Sequence, residues 1–250
     1  MGLTIAMVNQ KGGVGKTTTA VNLTAALTQA GKRVLLCDFD PQANATSGLG
    51  VDKTRAAVTS YDVAVNGRAA RDAVVHTKFG DLIPSAAALS GAGIELVGAA
   101  DREFVLKNAL APLKDEYDYV FIDCPPSLEL LTLNALCASD AILIPVQCEY
   151  YALEGLSDLM QTLRAVKRVL NPTLGVFGVL LTMYDGRTNF SAQVAEEVRR
   201  HFPGKVFASV IPRNVRLAEA PSHGVPVSAY DRFSRGAGAY EALAKEILNQ

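Results

Sequence analysis

The stretch Gln10-Lys11-Gly12-Gly13-Val14-Gly15-Lys16-Thr17-Thr18 constrains this chain more than any other nine residues in it. It is entered from an apolar, β-branched run, Leu3–Asn9, and left through a helix-forming segment, Thr17–Ala30. Glycine at three positions out of four opens left-handed backbone conformations and leaves no side chain between the main chain and a ligand. Successive N–H groups at such a turn, backed by the N-terminus of the following helix, form a nest for an anion. Gly12, Gly13, Val14 and Gly15 make that cradle. Lys16 is placed to reach the β- and γ-phosphates of a nucleotide, the Thr17 hydroxyl to ligate Mg²⁺, and Thr18 completes the cluster.

The rest of the chain alternates in a way that fits this loop. Strands are predicted at Leu3–Asn9, Arg33–Asp38, Tyr119–Asp123, Ala141–Val146, Gly175–Met183 and Val206–Ile211. Helices are predicted at Thr17–Ala30, Arg102–Leu113, Leu128–Ala138, Leu153–Leu170, Ser191–Phe202 and Gly236–Leu248. Several strands are apolar on both faces, as buried parallel strands are. Gly31 stands where a helix C′ glycine belongs, and Pro172 follows the long fourth helix. This rhythm predicts an α/β fold: a doubly wound, mostly parallel sheet with helices on both faces, the P-loop NTPase architecture. With 250 residues, 49% of them hydrophobic, a sizeable core can be buried. No internal repeat or linker interrupts the chain, so residues 1–250 read as a single domain. The segment from Ala43 to Gly98, rich in Ala, Gly and Ser, gives no strand assignment.

Ligands bind such sheets at the carboxyl ends of the strands. Two of those ends are acidic: Cys37-Asp38-Phe39-Asp40-Pro41-Gln42 and Ile122-Asp123-Cys124-Pro125-Pro126. Cys37, Cys124, Cys137 and Cys148 lack zinc or iron–sulfur spacing, and three of them lie in apolar runs, as core residues in a reducing compartment do. The start of the chain carries no basic leader pattern, and no apolar run approaches the ~20 residues that span a bilayer. The expected setting is the cytoplasm, away from membrane. The net charge of −1 excludes coating of nucleic acid by bulk charge, but the charge is unevenly placed. Residues 1–163 hold 12 Lys/Arg and 18 Asp/Glu, whereas residues 164–235 hold 11 and 5, a net of +6.

The loop departs from the standard G-x-x-x-x-G-K-[ST] pattern: Gln10 stands at the first glycine, and a second lysine, Lys11, precedes the double glycine. Lys-Gly-Gly-Val-Gly-Lys-Thr-Thr resembles the deviant Walker A motif of the ParA/MinD superfamily. Asp38–Gly50, Asp123–Ala135, Gln147–Gly155, Tyr184–Asn189 and Pro212–Gly224 resemble the ParA/Soj chromosome-partitioning proteins in particular. The resemblance implies an ATPase hydrolysing ATP with Mg²⁺, in which Lys11 and Lys16 serve catalysis and Lys11 reaches a partner's nucleotide across a dimer. It puts water positioning on Asp40, second-shell Mg²⁺ contact on Asp123, and support of the loop or of Mg²⁺ waters on Asp38. Thr182-Met183-Tyr184-Asp185 lacks the Asn-Lys pair that reads guanine, and Pro212-Arg213-Asn214 is similar to the family's adenine-contacting stretch. ATP, held at Pro212 and Asn214, is therefore the expected nucleotide. The resemblance further implies a homodimer in the ATP state, non-specific double-stranded DNA bound through Arg187 and Arg216, and release when a centromere-bound ParB/Spo0J-like protein stimulates hydrolysis. That would make the protein nucleoid-associated. The Ala-rich, net acidic C-terminal residues argue against a MinD-like membrane anchor. A small-molecule ligase on the same scaffold is the remaining alternative.

Overall fold

The computed structural model describes residues 2–149 and 152–250. Tyr150 and Tyr151, inside the Gln147–Gly155 stretch noted above, lie outside the described residues, as does Met1.

The chain opens with β1 (Leu3–Met7), α1 (Lys16–Gln29) and β2 (Val34–Asp38), followed by the short helices α2 (Asn44–Gly48) and α3 (Ser60–Ala64). A hairpin of β3 (Val75–Thr77) and β4 (Gly80–Ile83) precedes α4 (Ala92–Glu95) and α5 (Val105–Leu110). Then come β5 (Tyr119–Asp123), α6 (Leu130–Ala138), β6 (Ala141–Gln147), α7 (Ala152–Val169), β7 (Gly175–Thr182) and α8 (Asn189–His201). The chain closes with α9 (Val215–Glu219), α10 (Val227–Tyr230) and α11 (Arg235–Leu248). The described strands form one seven-stranded sheet in the order β3-β4-β2-β5-β1-β6-β7, parallel except for the β3 edge.

The two-residue period of the strands divides the core. Ala6, Leu35, Cys37, Val120 and Ile122 face one layer with Leu106, Ala135, Leu159 and Val198 of α5–α8. Ile5, Met7, Leu36 and Phe121 face the other, with Leu23 and Leu27 of α1 and Leu243 and Ile247 of α11. Both faces are covered, which is why these strands read as continuous apolar runs. All four cysteines are free and buried, as expected of core residues. Gly31 takes φ 84, and the N–H groups of Gly31 and Lys32 close on Thr28 O and Leu27 O, so α1 ends in the expected glycine cap.

Two regions differ from the sequence reading. Val206–Ile211 is not a strand. The segment runs beside β7, where the Phe207 N–H donates to Val179 O at 3.0 Å and the Ile211 N–H to Leu181 O at 2.9 Å, and between them the N–H groups of Ala208 and Ser209 donate to the Glu246 carboxylate at 2.7 and 2.8 Å. A side chain of α11 takes the N–H groups midway along the segment, and no continuous ladder forms. The Ala43–Gly98 segment supplies the β3–β4 hairpin, whose two-residue connection, Lys78-Phe79, lacks the Asn-Gly or Asp-Gly turn signature. Gly80 has φ 126, and a Cβ there would meet Thr24 Cγ2 at 2.7 Å, so α1 requires the glycine by close approach.

Candidate active site

Three adjacent strands deliver the acidic side of the site. Register sets Met7 of β1 opposite Asp123 of β5, and Asp123 opposite Asp38 of β2, at their carboxyl ends. Beyond Met7 the chain runs into the glycine loop, where Gly13 has φ 74 and Gly15, the residue before α1, has φ 93. These left-handed values cost glycine little. The first N–H groups of α1 have no carbonyl four residues back and open onto the loop.

Side chains from other strands brace the loop. The Thr182 hydroxyl, on β7, donates to Val14 O at 2.8 Å. Asn9 Nδ2 donates to Pro145 O at 2.7 Å, while Asn9 Oδ1 accepts from the Lys11 N–H at 3.0 Å. Sequence reasoning gives neither residue a role in the site. A polar residue at the end of an apolar strand is the one signal for Asn9, and Thr182 carries none.

The two lysines of the loop lie in different environments. Lys16 is buried, and its Nζ donates to Asn9 O at 2.9 Å and Lys11 O at 3.0 Å. Burial pulls its pKa below the ordinary lysine value, against the opposing influence of Asp123, Cys124 and Asp40. Lys11 sits at the outer side, where its Nζ pairs with Glu149 at 2.6 Å, both side chains about two-fifths exposed at 39% and 43%. Gln147 donates to the other Glu149 oxygen.

The three aspartates also differ. Asp123 is fully buried, and neither carboxylate oxygen has a hydrogen-bond partner among the described residues. Burial and the Asp38 carboxylate beside it raise its pKa well above the usual range; the Thr17 hydroxyl is near enough to oppose this, without completing a hydrogen bond. An unpartnered buried carboxylate is costly, and a hydrated cation at that spot would answer the cost. The Thr17 hydroxyl and the Asp123 oxygens are hard oxygen donors of the kind Mg²⁺ prefers. Among the described residues no group of three or more His, Cys, Asp or Glu could hold a metal alone. That suits a cation that takes its other ligands from phosphate and water. The residues present thus fit Mg²⁺ bound with a nucleotide.

Asp38 is turned into the following segment. Its Oδ2 accepts from the Thr46 N–H and hydroxyl, both at 2.7 Å, and its Oδ1 from the Asp40 N–H at 3.3 Å. Burial nevertheless raises its pKa to about 6. Asp40 is buried, accepts from the Gln42 N–H at 2.9 Å, and lies close enough to Lys16 to oppose the lowering of that residue's pKa. Ala43, a non-glycine residue at φ 53, closes the turn that carries Asp40.

Beside the loop, Gly15 and Thr18 border a cleft of about 360 Å³ lined by Met183, Ile211, Pro212 and Asn214. The structure therefore brings the predicted base residues to the phosphate loop. Asn214 also caps α9, its Oδ1 accepting from the Arg216 N–H at 2.9 Å. The other side of this segment borders an open cleft of about 990 Å³ that gathers Arg187, Arg213, Arg216 and Arg235. Arg187 and Arg216, predicted from distant parts of the chain, thus share one cleft. Both are ion-paired: Arg187 with Asp185 at 2.7 Å, and Arg216 with Glu219 at 2.7 Å and Asp231 at 3.3 Å. The Arg187 guanidinium holds the Asp185 carboxyl down to about 2.

A family profile described as an AAA domain matches residues 2–176. The chain is 58% identical over 249 residues to the sporulation initiation inhibitor protein Soj of Bacillus subtilis, covering 99% of this chain and 98% of that one. It is 52% identical over 253 residues to the chromosome-partitioning ATPase Soj of Treponema pallidum, with 99% and 98% covered. Among solved structures, cobyrinic acid a,c-diamide synthase from Mycobacterium smegmatis with bound ADP and magnesium matches with a TM-score of 0.87 at 39% identity, over 100% of this chain and 95% of that one.

Proposed function

This chain belongs to the ParA/Soj family of chromosome-partitioning ATPases, and from that premise we propose that residues 1–250 work as one ATP-controlled clamp on DNA. It is an ATPase that uses ATP and Mg²⁺ in DNA segregation. The observation that carries the proposal is the division of labour between the loop lysines: Lys16 buried among Asp123 and Asp40, Lys11 at the outer rim on Glu149.

Lys16 exchanges its two carbonyl partners for the β- and γ-phosphates of ATP, which the N–H groups of Gly12–Thr18 hold from below. The Thr17 hydroxyl and, through water, Asp123 would hold Mg²⁺, with Asp38 fixing the neighbouring turn. Bound Mg²⁺ neutralises negative charge on the phosphates. Pro212 and Asn214 border the base. Asp40 positions the attacking water. Lys11 leaves Glu149 and reaches the nucleotide of a second copy, so that its positive charge arrives only when two copies meet, in the manner of an arginine finger.

Dimerisation doubles the arginine cleft; Arg187 leaves Asp185 and Arg216 leaves Glu219 for DNA phosphates, while Arg216 Nε keeps Asp231. Such contacts carry no sequence information, so binding is non-specific. The Pro212–Arg216 segment lies between the base cleft and the arginine cleft, which gives the nucleotide a short route to the DNA face. A ParB/Spo0J-like centromere-bound protein stimulates hydrolysis and releases the clamp, and the protein resides on the nucleoid. None of the described helices is long and apolar enough to cross a membrane. The test is binding to duplex DNA of unrelated sequences with no nucleotide, with ADP and with ATP. Tight binding with ATP alone is expected; equal binding in all three states refutes the clamp. The similarity to a diamide synthase raises a ligase alternative, which predicts an ATPase indifferent to DNA and to a ParB peptide.

A further inference from the structure

Exposed apolar side chains flank the cleft arginines along the chain, where a purely electrostatic surface does not need them. Six large hydrophobic residues stand out as exposed among the described residues, and three of them lie within three positions of a cleft arginine: Phe190 after Arg187, Val215 before Arg216 and Phe233 before Arg235. Phe233 is the extreme case at 91% exposed.

The backbone turn that carries it is held in place. Asp231 accepts the Phe233 N–H on Oδ1 at 3.2 Å and meets Arg216 Nε with Oδ2 at 3.3 Å, so one carboxylate ties the phenylalanine to a proposed DNA arginine. Ser234 donates its N–H and hydroxyl to Asp231 O, and Gly236 packs against Leu217 of α9, where a Cβ would come within 2.8 Å of Leu217 Cγ. The Arg232 guanidinium lies 5.4 Å from the centre of the Phe233 ring. The Arg235 side chain has no hydrogen-bond or ion-pair partner among the described residues, unlike those of Arg187 and Arg216. A rigid turn thus presents a bare aromatic ring between an arginine stacked near it and an arginine free to take a phosphate.

We infer that the 231–235 turn is a second DNA-contacting element, in which Arg235 takes a phosphate and Phe233 makes an apolar contact with bases or deoxyribose. This rests on the DNA-binding reading above. The partner is a polyanion with apolar surface between its charges. That describes the DNA groove, where proteins insert apolar wedges beside arginines. Such a wedge makes no base-specific hydrogen bond, so it is compatible with non-specific binding.

The two kinds of contact separate by their salt dependence. With ATP and full-length protein on a random-sequence duplex, Phe233→Ala is expected to weaken binding roughly tenfold while leaving the slope of log affinity against log salt unchanged. Arg235→Ala is expected to flatten that slope by about one unit. Phe233→Trp retains affinity. Since the ring is exposed, its removal leaves the core and the ATP-driven dimer intact, which light scattering checks. Wild-type affinity in Phe233→Ala overturns the inference, as does a loss accompanied by a flattened slope, which would make Phe233 only a prop for the arginines. Phe233-dependent flotation on anionic vesicles, with DNA binding unaffected, assigns the turn to a membrane and also overturns it. If wild-type protein with ATP does not bind the duplex, the DNA-clamp reading itself fails, and this inference with it.

Discussion

Glu149→Gln is the substitution that best separates a parked Lys11 from an engaged one. In the single chain the Lys11–Glu149 pair is short, at 2.6 Å, but 39% and 43% of the two side chains is exposed. Half-exposed pairs of this kind stabilise by roughly 0.2–1 kcal/mol. Glutamine keeps the shape and one carbonyl acceptor, and removes the charge. If Lys11 must leave Glu149 before it can cross to a partner's nucleotide, each copy is relieved of up to that amount. A dimer opens two such contacts, so its association gains roughly 0.4–2 kcal/mol, about a two- to thirtyfold lower dissociation constant. Light-scattering titration with a slowly hydrolysed ATP analogue measures this, and the advantage should shrink as salt screens the wild-type pair. A dimer equally tight or weaker in Glu149→Gln refutes the reasoning: Glu149 would then act across the interface or not at all, and the contact seen within one chain would not restrain Lys11.

Other substitutions test the remaining assignments. Lys16→Ala should abolish tight ATP binding, by roughly a hundredfold or more in nucleotide titration, because two charge-assisted phosphate contacts are lost; Lys11→Ala should retain nucleotide but lose dimerisation and hydrolysis. Near-normal affinity in the first, or normal turnover in the second, sinks the corresponding role. Gly12→Val should leave the isolated chain folded, since a Cβ at Gly12 meets nothing within 4 Å, yet block the ATP dimer; circular dichroism with light scattering checks both halves. Asp40→Ala should bind ATP normally and slow hydrolysis by ~10² or more, as the loss of a water-positioning group does, and so stay longer on DNA after dilution. Release at the wild-type rate with hydrolysis abolished would remove turnover as the exit step.

Much of this site is legible without coordinates because its parts are contiguous. The passage from β1 through Gly12, Gly13 and Gly15 into α1 is written in nine neighbouring residues, and the left-handed φ at Gly13 and Gly15 is what glycine there permits. Asp38 and Asp123 are readable as strand ends, because an apolar run closed by an acid reports its own boundary. Pro212 and Asn214 follow from a short motif, and the structure sets both beside Gly15 and Thr18.

What tertiary structure alone decides is which distant group answers each backbone or side-chain polar atom. Val206–Ile211 has the composition of a strand, but Glu246, on a helix packed from the far end of the chain, takes two of its N–H groups. Thr182 braces Val14 from 168 residues away, and Glu149 holds Lys11 from 138 away. The pairing of Asp38 with Asp123 arises because β5 inserts between β1 and β2, an order that strand patterns do not specify. The pKa of Asp123 rises because the fold surrounds it with apolar side chains and a second carboxylate. Local sequence sets the conformations each segment can adopt and the chemistry it can carry, since hydrophobic period and glycine placement act through a residue's own backbone. The contacts that restrain Lys11, brace the loop and gather four arginines depend on sheet order and helix packing, which are set by the whole chain at once.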